Sequence, residues 1–168
     1  MDKRVEKIVQ KLDMKPHPEG GFFKETYRSN GVIPKEALSD GFDEQRNYCT
    51  AIYFLLTADI FSAFHRIKQD EIWHFYEGNA IDIHVIDTQG VYTKHTVGMN
   101  IDDGEFPQLV VPAGAWFASG LSKQNGYALV GCTVAPGFDF ADFELAERTQ
   151  LIRQYSQYED VITRFTRV

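Results

Sequence analysis

His65, Glu71 and Gly78 follow one another at intervals of six and seven residues, with Pro112-Ala113-Gly114 further along the chain. An imidazole and a carboxylate on one wall of a small chamber can move protons, orient a ligand or hold an ion. On a strand, residues two apart share a face, so Ala63, His65 and Ile67 point one way. After a turn, Glu71, Trp73 and Phe75 can point the same way. The expected result is an apolar lumen holding one imidazole and one carboxylate. A carboxylate among Phe, Trp and Ile needs a partner, a metal or a proton. The blander reading pairs Glu71 with Arg66 or Lys68, and makes His65 a hydrogen-bonded core histidine. His74 has the opposite parity, with Ile72 and Tyr76, and is expected to face away.

Around this pair stand aromatic candidates. Trp73, Phe75, Trp116 and Phe117, with Ile67, are candidate ligand contacts, although aromatics in a β-core are mostly packing. Tyr53 and Tyr76 are candidate proton donors, with no ground for choosing between them. His84 and His95 are expected at the surface. The acidic run at 102–105 reads as a solvated turn, lacking the spacing of a calcium loop.

Short strands must position these groups. Apolar and aromatic stretches bounded by Gly, Asp and Asn occur at 22–29, 48–57, 61–67, 71–77, 80–87, 91–97, 108–111, 115–119 and 127–135. Such spacing leaves no room for helical crossovers and predicts an all-β antiparallel jelly-roll barrel as one domain over 1–168. Val5, Ile8, Val9 and Leu12 follow a helical period after a candidate Asp2 cap. The segment 30–47 reads as a loop with one helical turn near Lys35. Beyond Pro136-Gly137, helical segments carrying Leu151, Ile152, Tyr155, Val161, Ile162 and Phe165 are expected to cover the barrel.

Composition narrows the function classes. The 168 residues suffice for an apolar core. The net charge of -7 and the lack of a basic cluster argue against a nucleic-acid partner. There is no signal-like N-terminus and no run near the ~18 apolar residues of a membrane span, so a cytoplasmic protein without a membrane partner is expected. Cys49 and Cys132 form no ligand motif and read as reduced, buried thiols.

The register of His65, Glu71 and Gly78, with Pro112 and Gly114, resembles the two cupin motifs. Ile67 and Phe117 stand where two of the motif histidines would be. The blocks HPEGGFFKETYRS (17–29), FHRIKQDEIWHFYEG (64–78) and VAPGFDFADFE (134–144), with 111–114, are similar to the small cupin family described as predicted sugar epimerases. That resemblance implies a jelly-roll barrel and, by analogy to dTDP-sugar 3,5-epimerases, a lumen histidine at His65 that removes a proton beside a ketone. Two features depart from the epimerase pattern: Ser62 stands in place of its arginine, and 129–133 lacks its tyrosine.

The first functional expectation is an isomerase or epimerase of a carbonyl-bearing sugar or sugar-like molecule, with His65 as base and Glu71 orienting it or serving as second acid/base. A variant binds a divalent ion through His65, Glu71 and His74; otherwise no cofactor is expected. The rival is a non-catalytic binding module for a small-molecule ligand. A homodimer is expected, because Phe23, Tyr27 and His74 would otherwise leave aromatic area on an exposed face.

Overall fold

Period-two alternation gives way to helical spacing at both ends of the chain, and the computed structural model, which describes residues 2–167, follows that division. Helix α1 (Lys3–Lys11) opens the chain, with the Asp2 carboxylate accepting the Arg4 N–H at 2.7 Å. Strands β1 (Lys15–Pro16), β2 (Phe22–Arg28), β3 (Val32–Ile33), β4 (Arg46–Asn47), β5 (Thr50–Thr57) and β6 (Ser62–Arg66) follow. They are succeeded by β7 (Asp70–Gly78), β8 (Ile81–Ile86), β9 (Tyr92–Val97), β10 (Gln108–Val111), β11 (Trp116–Leu121), β12 (Tyr127–Ala135) and β13 (Glu144–Leu145). Helices α2 (Arg148–Gln154) and α3 (Glu159–Arg164) close the chain. The expected helical turn is a 3-10 turn at Lys35–Ala37.

Two antiparallel sheets face each other, in the orders β1-β2-β5-β12-β7-β10 and β13-β6-β11-β8-β9, with β3-β4 as a small side ribbon. This is an all-β cupin-type barrel with short helices at its ends. Alternation along each strand divides the apolar residues among three clusters. Phe54, Leu56, Trp73, Ile81, Ile83, Val85, Phe117 and Val130 fill the space between the sheets. Residues of opposite parity on the second sheet, Phe64, Ile86, Trp116 and Ala118, pack under α2 and α3 against Leu151, Ile162 and Phe165. Val5 and Ile8 of α1 cover Leu55 and Leu129 on the outside of the first sheet.

His84 shares that outer parity on β8 and is buried rather than at the surface. The ring packs against Phe165 in a tilted arrangement with centroids 4.5 Å apart, and Nδ1 lies 2.8 Å from the Tyr92 hydroxyl. Cys49 is half-buried and Cys132 buried, both as free thiols.

Candidate functional site

The turn at 17–21 joins β1 to β2 and carries the first part of the site. The Gly20 N–H donates to the His17 carbonyl at 3.0 Å. Gly20 has a φ of +118°, and a Cβ there would lie 2.1 Å from the Phe61 carbonyl oxygen, so only glycine brings this turn so close to β6. The turn is pinned by the Ala63 N–H and the Arg167 guanidinium, both donating to the Glu19 carbonyl at 2.8 and 2.6 Å. The Glu19 side chain is thereby sent inward, where it accepts the Ser62 hydroxyl at 2.8 Å and meets His65 Nε2 at 2.9 Å.

His65 projects from β6 and packs against Phe117, the rings tilted with centroids 4.1 Å apart. Its Nδ1–H donates to the Ala63 carbonyl at 2.7 Å, so both ring nitrogens are engaged. Burial alone would disfavour the imidazolium, but the Glu19 carboxylate outweighs it and raises the His65 pKa. Burial likewise opposes ionisation of Glu19, and His65 with Ser62 overcomes it, holding Glu19 below the ordinary range. The two form a buried ion pair.

The first sheet supplies the opposite wall in rows set by its register. Arg28, Thr50, Val134 and Glu71 lie abreast on β2, β5, β12 and β7, and Glu25, Ile52, Cys132 and Trp73 form the next row. A bulge between Glu25 and Tyr27 changes the parity of β2, so that Arg28 turns inward and Tyr27 stays exposed. Phe138, Phe140 and Phe143 cover the remaining side. Their segment is tied down by Asp142, which accepts both the Arg46 Nη2–H at 2.6 Å and the Gln69 amide at 2.7 Å. The cavity between these walls has a volume of about 190 Å³.

Glu71 is 8% exposed and opens on this cavity. Burial, reinforced by the negative charge of Glu19, pushes its pKa up to about 7, while His65 and the Cys132 thiol partly oppose the shift. Arg66 pairs with Glu144, and Lys68 with Asp142 and Asp43, so neither is the partner that the blander reading assigned to Glu71. Burial, followed by the nearby Glu71, pushes the Cys132 thiol well above its usual value. His17 also lines the cavity, between the rings of Phe23 and Phe140. Burial lowers its pKa against the opposing charge of Glu19, with some help from the His65 charge.

Of the residues singled out from sequence, His65, Glu71 and Ile67 line the cavity. The others lie elsewhere. Trp73 and Phe117 face inward but sit beneath the cavity as packed core, edge-on to each other at 6.4 Å, and Phe75 packs against the same core. Trp116 has the opposite parity to Phe117 and is buried under the C-terminal helices with Arg66 over its ring. Tyr53 and Tyr76 are on the outer face of the first sheet, ring to ring at 6.0 Å, with Tyr76 51% exposed and lying across Gly131. His74 is on that outer face too, beside Thr133 and Gln108. For Trp116, Tyr53, Tyr76 and His74 strand parity is the cause, since a side chain must cross the sheet to change faces. Phe23, expected on an exposed face, instead lines the cavity.

His17, Glu19, Glu25, Arg28 and Cys132 were not singled out as site residues. The first four fall in the 17–29 block, and alternation in β2 already places Phe23 and Glu25 together; the bulge that adds Arg28 has no clear signal.

The donors do not fit a bound metal. Both His65 nitrogens are committed, Ile67 and Phe117 replace two imidazoles, and His74 lies outside the lumen. Among the described residues no group of three or more His, Cys, Asp or Glu side chains is placed to hold an ion. No helix among them is long and apolar enough to cross a membrane.

Comparison with known proteins places this geometry among relatives. The family model described as Cupin superfamily (DUF985) matches residues 6–146. An uncharacterized protein of Saccharomyces cerevisiae is 32% identical over 148 residues, covering 82% of this chain and 73% of its own. A hypothetical protein from Leishmania major superposes with a TM-score of 0.87 at 37% identity, covering 98% of this chain and 99% of its own. A Shewanella oneidensis protein does so with a TM-score of 0.86 at 36% identity, covering 97% of each chain. Oxalate decarboxylase from Bacillus subtilis shares the fold alone, with a TM-score of 0.55 at 13% identity over 91% of this chain and 37% of its own.

Proposed function

We propose that this chain, which belongs to the cupin superfamily family DUF985, binds a small carbonyl-bearing sugar or sugar-like molecule between its sheets and moves a proton beside the carbonyl. The observation that carries the reading is Glu71. It opens on a cavity in which the pairs Glu19 with His65 and Glu25 with Arg28 are already made. A carboxyl with a pKa near 7 is matched to general base work at neutral pH.

In this reading the proton remover is Glu71 rather than His65, whose ring nitrogens are both engaged. The carboxylate takes the proton as the C–H bond breaks, and the electron pair forms the carbon–carbon double bond of an enediolate. Glu71 returns the proton to the same carbon, or to the neighbouring one while the remaining hydroxyl proton of the enediolate passes directly to the adjacent oxyanion and leaves the new carbonyl behind. With Tyr53 and Tyr76 on the outer face, no tyrosine among the described residues lines the cavity to protonate the opposite side, which favours isomerisation over epimerisation. The size supports a small substrate, since an apolar cavity of about 150 Å³ takes up benzene and this one is about 190 Å³.

A second reading, binding without turnover, draws on the same commitment of the His65 nitrogens. Incubation with a panel of ketoses in deuterated water separates the two. A catalyst leaves deuterium on the carbon next to the carbonyl, and a binder leaves none.

A further inference from the structure

We infer that His17 is the group that polarises the substrate carbonyl, as a neutral imidazole donating its Nε2–H into the cavity opposite Glu71. The inference rests on the proton-transfer reading above and adds the electrophile which that reading lacks.

The tautomer follows from the turn. The backbone N–H of Glu19 donates to His17 Nδ1 at 3.3 Å, and the Glu19 carboxylate, 3.5 Å from the same nitrogen, is engaged more closely by His65 at 2.9 Å and Ser62 at 2.8 Å; with Nδ1 as the acceptor, the ring proton is assigned to Nε2. Among the described residues Nε2 makes no hydrogen bond. The side chain is 8% exposed, and the ring lines the cavity. The donor therefore waits in an apolar setting, flanked edge-on by Phe23 at 4.7 Å and stacked on Phe140 at 6.0 Å. Burial disfavours a positive charge on His17 and outweighs the pull of the Glu19 carboxylate, and the neighbouring imidazolium of His65 acts in the same direction as burial.

The position suits the role. His17 enters from the end of the first sheet beside β2, whereas Glu71 stands on β7. With β5 and β12 between them, the strands are three spacings apart, about 14 Å at ~4.8 Å each. Side chains reaching inward from both leave between them a gap for a small molecule. As Glu71 takes the proton, the carbonyl π electrons move onto oxygen. The Nε2–H then holds the developing oxyanion without itself being transferred, as a neutral imidazole can.

The test uses the full chain and two substitutions of different reach. His17→Asn keeps an oxygen acceptor near the Glu19 N–H but withdraws the donor from the cavity, while His17→Gln extends an amide N–H toward the Nε2 position. Deuterium exchange into the ketose that the wild type labels should fall about 100-fold or more in His17→Asn, the loss seen when one oxyanion donor is removed. It should recover in part in His17→Gln, with KM nearly constant. Nitrogen-15 histidine spectra of the wild type should show His17 neutral and protonated at Nε2 at pH 7. Undiminished exchange in a folded His17→Asn, or a His17 ring protonated at Nδ1, would overturn the inference while leaving Glu71 as base. Absence of label with the wild type on every ketose would overturn the proton-transfer reading and this role with it.

Discussion

Replacing Glu71 by Gln should make the protein more stable at alkaline pH, because the substitution removes a charge that the cavity does not favour. The folded carboxyl has its pKa at about 7, against 4.5 for its ordinary value. A carboxyl whose folded value is raised holds its proton more tightly in the native state, so its contribution is intact below pH 4.5 and is lost as the pH rises through 7. At ~1.36 kcal/mol per tenfold change in acidity, the loss is about 3 kcal/mol, most of it between pH 5 and pH 8. Glutamine has nearly the shape of the protonated acid and does not titrate. Urea unfolding of both proteins at pH 5, 6, 7 and 8 should give curves that separate as the pH rises, with the variant gaining about 2–3 kcal/mol relative to wild type by pH 8. A difference that stays within about 0.5 kcal/mol across the series would show that Glu71 is ionised in the fold at low cost, and the assignment of a proton-sharing base would fall.

Glu19→Gln leaves the His65 imidazolium buried without its counter-charge and should cost about 3–5 kcal/mol at neutral pH, measured by urea unfolding; because Glu19 also raises Glu71, carbon-13 titration of Glu71 in this variant should move toward the ordinary carboxyl range. His84, held near 4 chiefly by burial, is protonated more readily when unfolded, so it drains stability as the pH falls from 6.5 toward 4. His84→Asn should flatten that acid limb by up to about 3 kcal/mol, read from melting temperatures at pH 4 to 7. The chain is expected to pair with a second copy, and light scattering should give the mass of two chains; a value of 19.2 kDa at working concentration would contradict pairing.

Strand content was legible because inward and outward residues alternate and turns are marked by Gly, Asp and Asn: 108–111 and 127–135 coincide with β10 and β12. Parity alone also put His65, Ile67 and Glu71 on one side and His74 on the other, where the structure has them. What parity could not supply was depth. Trp73 points inward like Glu71, yet lies in packed core under Phe54, because how far the cavity penetrates depends on side chains from other strands. Trp116 and Phe117 are adjacent on β11 and cannot share a face, so only one of them can point between the sheets. Glu19 was hidden for a different reason. Its approach to His65 spans 46 positions of the chain and depends on a glycine turn docking on β6, a contact with no periodic signal.

The most direct test of the central claim is the rate of deuterium incorporation beside the carbonyl of a ketose that the wild type labels, followed from pH 5 to pH 9. If Glu71 is the base, the rate rises with pH and levels off above about 7, where the carboxylate form is complete, and folded Glu71→Gln shows none of this exchange. Wild-type exchange that persists unchanged in Glu71→Gln, or no exchange with any ketose at any pH, would contradict the account.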